Sequence, residues 1–237
     1  MATIFYIEGP STSSIINYLQ KSSSGLKYIK LPKIGGVLSP EDVNSLSFPK
    51  MEKGDVLLWN TGHEHHASYF IGPDEPYVKS ALDAHRDLYG YTGDLHAANH
   101  MTATVKNDRH LEGVEVVGVY VDAFREADIA NVGLLRHFGG LNPLRFFKAG
   151  DILDPITGEV MHKTIDLDVI NGCDVSPDFA IGKESLENVK SNLDYSAGGN
   201  ELIRLDIGGL RPDAGEKWLR GCKELIEINL DHSIKQY

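Results

Sequence analysis

Two carboxylates and one imidazole alternate in the segment Asp83-x-His85-x-Asp87, which follows an apolar stretch over residues 77–82. In an extended segment, side chains two residues apart lie on the same face, so Asp83 and His85 are expected to point the same way. Open α/β sheets bind their ligands beyond the carboxyl ends of the strands. The pattern therefore predicts a metal site just after a strand over residues 77–82.

Two further segments combine the same residue types in the same setting. Asp166-x-Asp168 ends an alternating stretch that begins at residue 161, and the residues HEHH at positions 63–66 follow an apolar strand predicted over residues 55–60. An isolated Asp-x-Asp is usually a solvated turn, but three such clusters at strand ends favour a shared site. Crowded carboxylates need a compensating charge. Carboxylates mixed with imidazoles suit Mn²⁺ or a related ion, and the ligands suffice for two ions sharing an aspartate.

Strands and helices alternate along the 237 residues. The patterns predict strands over residues 3–7, 26–31, 55–60, 77–82, 114–121, 161–169 and 202–207, and helices over 15–19, from 40, 127–137, 185–193 and 214–230. Residues 90–100 are predicted to be a polar loop, residues 102–105 a short helix or strand, and residues 144–148 are ambiguous. This order predicts one α/β domain over residues 1–237, with a mostly parallel central sheet and helices on both faces.

Composition excludes several classes of protein. The formal net charge of −11 argues against nucleic acid as a partner, because phosphate binding requires a basic surface. No run of 18 or more apolar residues is present, which argues against a membrane protein. Cys173 and Cys222 form no Cys-x-x-Cys pair, so a zinc finger is not indicated and a reducing, cytoplasmic location is expected.

The motifs resemble those of the arginase–agmatinase (ureohydrolase) superfamily. The residues LDAHRD at 82–87, TGDLH at 92–96 and IDLDV at 165–169 look like its Asp-Ala-His-x-Asp, Ser-Gly-Asn-Leu-His and Asp-x-Asp motifs. Its first motif, Gly-Gly-Asp-His, corresponds most naturally to residues 62–65. The order and spacing match from about residue 55 to residue 212.

The resemblance implies a three-layer α/β/α, arginase-like fold with two Mn²⁺ ions, although Zn²⁺ or another divalent ion is also compatible. One ion would be held by His65, Asp83, Asp87 and Asp166, and the other by Asp83, His85, Asp166 and Asp168. A hydroxide between the ions would attack the substrate, Asp87 would orient it, and His96 would carry a proton to the leaving nitrogen. The resemblance also implies a small-molecule substrate and a possible homo-oligomer.

Two questions remain open: which substrate is cleaved, and which histidine of the first motif is a ligand. Guanidinium-hydrolysing members of the family carry a glutamate where this chain has Gly208-Gly209, so the expected substrate is an amidine, guanidino, formimino or amide compound, with arginine and agmatine disfavoured. Any of His63, His65 and His66 could be the ligand of the first motif. Two alternatives remain: a mononuclear zinc deacetylase using Asp83, His85 and Asp166, and a metal-binding protein without catalysis.

Overall fold

The computed structural model describes residues 2–60, 62–85, 87, 91–119, 144–148, 160–175, 182–199 and 201–235. Within these ranges the strands are β1 (Thr3–Ile7), β2 (Lys27–Leu31), β3 (Val37–Leu38), β4 (Val56–Trp59), β5 (Tyr77–Leu82), β6 (Leu95–His96), β7 (Leu111–Val119), β8 (Leu144–Lys148), β9 (Val160–Asp166) and β10 (Glu201–Gly208). Eight of these described strands form a parallel sheet in the order β2-β1-β4-β10-β9-β5-β7-β8. Strands β3 and β6 pair antiparallel in a separate ribbon.

Helices connect the strands. In the described ranges the α-helices are α1 (Pro10–Ser22), α2 (Pro40–Ser45), α3 (His100–Asn107), α4 (Leu186–Gly199) and α5 (Glu216–Lys235), and 3-10 helices span Gly62–Ile71, Ala97–Asn99 and Leu167–Val169. Helix α2 begins where its sequence predicts, because the Ser39 hydroxyl accepts a hydrogen bond from the Asp42 N–H at 3.2 Å and Pro40 occupies the first helical position.

Both faces of the sheet are covered by helices. Side chains alternate along each strand, so Ile4 packs towards α1, α4 and α5, whereas Phe5 packs on the opposite face, towards the Gly62–Ile71 helix and α3. In β4, Leu58 faces the first layer and Leu57 the second. Burial on both faces explains why these strands are continuously apolar in sequence. The predicted three-layer α/β/α arrangement is confirmed.

The order of the central strands determines where the candidate ligands meet. The chain passes from β4 to β5 across a gap of two strand positions, and β10 and β9 fill that gap. Because β4, β10, β9 and β5 are neighbours and parallel, their carboxyl ends lie at one edge of the sheet. Segments that are far apart in sequence are therefore adjacent in space.

Several local predictions need correction. The strand predicted over residues 161–169 ends at Asp166 and gives way to a 3-10 helix, and the predicted loop over residues 90–100 contains β6 and a 3-10 helix. The ambiguous residues 144–148 form strand β8. The helix predicted over residues 127–137 lies outside the described residues. Among the described helices, none has the length and apolar character needed to cross a membrane.

Candidate metal centre

The segment after β5 bends instead of continuing as the predicted extended strand. The Asp83 carboxylate accepts a hydrogen bond from the His85 N–H at 2.7 Å, which turns the backbone directly after the strand. Asp87 has a φ of 51°, in the left-handed region that aspartate adopts more readily than most residues. The bend leaves Asp83 buried and His85 partly exposed at the edge of the sheet.

The end of β9 is joined to this bend by hydrogen bonds. The Asp166 carboxylate accepts from the Asp168 N–H at 3.1 Å, which starts the 3-10 helix after the strand. The Asp168 carboxylate accepts from the Ala84 N–H at 3.3 Å, and its other oxygen lies 2.8 Å from His85 Nδ1. Asp166 and Asp168 therefore both face the segment after β5.

His65 is the imidazole that the Gly62–Ile71 helix brings to the carboxylates. Its Nδ1 lies 3.0 Å from Asp87 Oδ2, 3.4 Å from Asp83 Oδ2 and 3.6 Å from Asp166 Oδ2. The ring stacks on Trp59 with centroids 4.6 Å apart. Of the other two histidines considered for this position, His66 is buried but belongs to none of the ligand groups found among the described residues. The side chain of His63 lies outside the described part of the chain.

Three groups of side chains in the described residues could each hold a metal ion. They are His65/Asp83/Asp166, Asp83/His85/Asp168 and His65/Asp87/His100, and in each group the ligand atoms lie within 4.8 Å of one another. The first two groups share Asp83, and the first and third share His65. The three groups therefore form one contiguous cluster of candidate ligands.

Burial and mutual repulsion raise the pKa of the clustered carboxyls. Burial, followed by the charge of Asp87, raises the pKa of Asp83 to about 6. Burial, followed by the charge of Asp83, raises the pKa of Asp168 to about 6. Burial and the charges of Asp168 and Asp83 raise the pKa of Asp166 well above its usual range. Without a cation, protons provide part of the charge compensation that these carboxyls need.

The pKa values of the two imidazoles are raised, although burial alone would lower them. Burial lowers the pKa of His65, but the adjacent Asp87 and the charges of Asp83 and Asp166 outweigh it and raise the pKa to about 9. Burial also lowers the pKa of His85, but Asp168 and Asp83 raise it to about 12. A cation bound at either imidazole would therefore have to compete with protons.

An unsatisfied atom shows that this donor set fits a metal ion. His65 Nδ1 is buried and has no well-aligned hydrogen-bond partner among the described residues, although three carboxylate oxygens lie within 3.6 Å. A buried polar atom without a partner is costly. A cation between Nδ1 and these oxygens would satisfy all four atoms, and a mixture of oxygen and imidazole nitrogen donors suits a divalent first-row metal.

We expect Mn²⁺ to raise the melting temperature of the protein more as the pH increases from about 5 to about 9. The carboxyls and imidazoles have raised pKa values, so metal must displace protons, and this competition weakens as the pH rises through those values. Thermal unfolding in chelator and in excess Mn²⁺ across this range measures the increment. An increment that stays constant or shrinks with pH contradicts proton displacement.

The sequence pattern suggests that His100 either lines the mouth of the pocket or caps a loop, whereas the structure includes it in a candidate ligand group. Its ring is fully buried against His65, with centroids 4.3 Å apart, and its Nδ1 lies 3.4 Å from Asp87 Oδ2. His96, the predicted proton carrier, belongs to none of the three groups among the described residues; it pairs with Val37 in the β3–β6 ribbon. Only the placement of α3, which begins at His100, brings this second imidazole to Asp87.

Gly208 and Gly209 bring the end of β10 close to the centre. Gly209 has a φ of 97°, and a Cβ added to it would lie 2.6 Å from Asp166 Oδ1. A Cβ on Gly208 would lie 2.2 Å from the Trp59 ring. Neither position accommodates a side chain without displacing a neighbour, so the lack of a glutamate here has a steric basis.

Comparison with known proteins finds similarity in structure alone. No protein-family model and no curated protein matches the sequence. A formimidoylglutamase from Bacillus subtilis is 15% identical with a TM-score of 0.65, and the match covers 98% of this chain and 86% of that one. A hypothetical agmatinase from Burkholderia thailandensis is 12% identical with a TM-score of 0.61, covering 99% and 86%. A Trypanosoma cruzi formiminoglutamase with Mn²⁺ is 12% identical with a TM-score of 0.61, covering 98% and 92%.

Arginase structures also match over nearly the whole chain. The chain has the ureohydrolase fold. At these identities the similarity establishes the fold alone. Within this ureohydrolase fold, the candidate ligands come from the ends of β5 and β9 and from the 3-10 helix that follows β4.

Proposed function

We propose that this ureohydrolase-fold chain, as one domain over residues 1–237, is a metal-dependent hydrolase of a carbon–nitrogen bond other than a peptide bond. The main support is the convergence of three ligand groups on His65 and Asp83 at the carboxyl edge of the sheet. The names of its structural neighbours, a formimidoylglutamase and an agmatinase, point to small linear substrates.

We propose two overlapping sets of ligands, which share Asp83 and Asp166. His65, Asp83, Asp87 and Asp166 would hold one ion, and Asp83, His85, Asp166 and Asp168 the other. Mn²⁺ is the proposed metal because the donors are mainly carboxylates and because the Trypanosoma cruzi neighbour is a Mn²⁺ form. When bound, such ions supply Lewis acidity, which lowers the pKa of water and polarises the bond to be cleaved.

Side chains of the centre would orient the reactants and move protons. The Asp87 carboxylate would accept a hydrogen bond from the attacking water, and its Oδ2 lies 3.4 Å from His100 Nδ1, which is hydrogen-bonded to the Ala97 carbonyl. We propose that His96, on β6, gives a proton to the leaving nitrogen, as general acids do. His96 would have to approach the substrate from outside the three ligand groups.

The substrate is proposed to be a formimino, amidine or amide compound. A guanidinium needs a carboxylate partner, and Gly209 leaves no space for one beside Asp166. A substrate with a smaller or less strongly charged nitrogen group does not require that partner. Arginine and agmatine are therefore the least suitable members of the family's substrate range for this chain.

Metal counting combined with a substrate panel tests the proposal. The Mn²⁺-loaded protein is expected to contain about two ions per chain and to hydrolyse a formimino or amidine compound to an amide, with release of ammonia or an amine, and with no turnover of arginine or agmatine. The chelated protein is the control. Two bound ions without turnover of any compound would indicate a metal-binding protein, and one Zn²⁺ with acetate release would indicate a mononuclear deacetylase.

A further inference from the structure

A buried hydrogen-bond network lies behind the candidate centre and contains none of its proposed ligands except His65. Its middle is the carboxylate of Asp206 on β10, which is fully buried. Asp206 Oδ1 accepts from Trp59 Nε1 at 3.2 Å and from the Thr164 hydroxyl, and Oδ2 accepts from His162 Nε2 at 2.7 Å. Four elements of the fold therefore meet at this carboxylate and at the side chain of His65.

Each hydrogen bond of the network has a defined donor and a defined acceptor. Burial opposes the ionisation of Asp206, but interactions that include the hydrogen bond from His162 outweigh it and hold the pKa of Asp206 below its usual value. An ionised carboxylate only accepts hydrogen bonds, so Thr164 donates its one hydroxyl proton to Asp206. Thr164 Oγ1 also lies 2.9 Å from His65 Nε2. Because the hydroxyl proton is used, His65 Nε2 must be the donor in that contact.

The direction of these hydrogen bonds determines which nitrogen of His65 carries a proton and which one faces the centre. With the proton on Nε2, the neutral ring presents the lone pair of Nδ1 to the carboxylates of Asp83, Asp87 and Asp166. Trp59 stacks on the ring and is itself tied to Asp206 through its indole N–H. One buried carboxylate thus influences both the tautomer and the orientation of the imidazole.

We propose that Asp206 and Thr164 are positioning residues that hold His65 ready to bind a divalent cation through Nδ1. This inference rests on the proposed metal centre and identifies the atom and tautomer that the centre uses. Partners that orient a ligating histidine typically change metal affinity by about 10–100-fold when they are removed. A purely structural network would stabilise the fold without changing the affinity of the folded protein for metal.

Thr164→Val tests the proposal because it removes the hydroxyl and keeps the shape of the side chain. Thr164→Ser restores the hydroxyl. Thr102→Val is the matched control, because Thr102 is equally buried and its hydroxyl has no hydrogen-bond partner among the described residues. Circular dichroism confirms that each variant is folded, and Asp206→Asn provides a second perturbation of the same network.

Titration of the chelated proteins with Mn²⁺ alone gives the first readout. We expect Thr164→Val to bind the ion at the His65 position about 10–100-fold more weakly, with Thr164→Ser and Thr102→Val close to wild type. Nitrogen-15 NMR of the Zn²⁺-loaded wild type gives the second readout, and we expect the proton of His65 on Nε2.

The outcomes separate the two proposals. If wild type binds Mn²⁺ and both Thr164→Val and Thr102→Val bind it as tightly as wild type does, the proposal that Thr164 positions His65 is wrong. The proposed metal centre is not contradicted by that result. The positioning proposal is also wrong if His65 carries its proton on Nδ1 in the Zn²⁺-loaded protein. If wild type binds neither Mn²⁺ nor Zn²⁺, the proposed metal centre and the inference built on it both fail.

Discussion

Asp83→Asn is expected to reduce bound Mn²⁺ from about two ions to less than one per chain and to lower turnover by at least about 100-fold. Asp83 is shared by two ligand groups, with one oxygen 3.4 Å from His65 Nδ1 and the other 3.5 Å from His85 Nδ1. Asparagine keeps the size of the side chain but removes its charge and one of its two ligating oxygens. One ion therefore loses a ligand oxygen, and both ions lose the negative charge that they share at Asp83.

The same substitution is expected to preserve the fold. The asparagine oxygen can still accept the hydrogen bond from the His85 N–H, and the loss of one charge relieves repulsion among the remaining carboxylates. The chelated variant should therefore melt no lower than chelated wild type, while wild type gains much more stability from Mn²⁺. Metal analysis, turnover and thermal unfolding measure these effects.

Asp108→Asn is the matched control for Asp83→Asn. Asp108 accepts hydrogen bonds from the Tyr77 hydroxyl at 2.7 Å and the His110 N–H at 2.9 Å, and it belongs to none of the ligand groups in the described residues. Its asparagine variant should keep the wild-type metal content and turnover. Activity that survives Asp83→Asn would show that hydrolysis does not depend on the metal centre.

Gly209→Ala is expected to weaken Mn²⁺ binding by at least about tenfold, because the new Cβ would lie 2.6 Å from Asp166 Oδ1. Asp166 is held by the Asp168 N–H, so its carboxylate cannot move away without breaking that hydrogen bond. The left-handed backbone at Gly209 adds strain of about 1–3 kcal/mol for any other residue. Gly209→Glu should likewise lose metal and should not acquire arginine or agmatine hydrolysis.

Gly25→Ala separates these two effects. Gly25 also has a positive φ, 85°, but a Cβ there would meet nothing within 4 Å. Its alanine variant should lose stability through backbone strain and retain full affinity for Mn²⁺. If Gly209→Ala binds Mn²⁺ as well as Gly25→Ala does, the close approach of β10 to Asp166 has no role in the centre.

Much of the fold was predictable because the relevant signals are local. Buried parallel strands are continuously apolar in sequence, which identifies β4, and Ser39-Pro40 marks the start of α2. Residues 144–148 were ambiguous because a short apolar run fits a helix or a strand equally well. Only pairing with β7 makes this segment strand β8.

The candidate site was predictable only where its ligands directly follow strands. Asp83 and Asp166 directly follow segments that the sequence predicts to be strands, and the structure brings them together with His65. Choosing His65 over its neighbours depends on the turn of the 3-10 helix, which the sequence pattern does not reveal. His100 was not assigned as a ligand because its contact with Asp87 depends on the tertiary packing of α3.

The placement of β9 and β10 between β4 and β5 also governs when the centre can form during biosynthesis. A growing chain emerges amino end first, so β4 and β5 are made long before the two strands that separate them. Asp168 meets Ala84 across 84 residues of sequence, and folds that depend on such non-local contacts form slowly. The proposed centre is therefore assembled late, and a nascent chain that has not yet inserted β9 lacks Asp166 and Asp168 at this edge of the sheet.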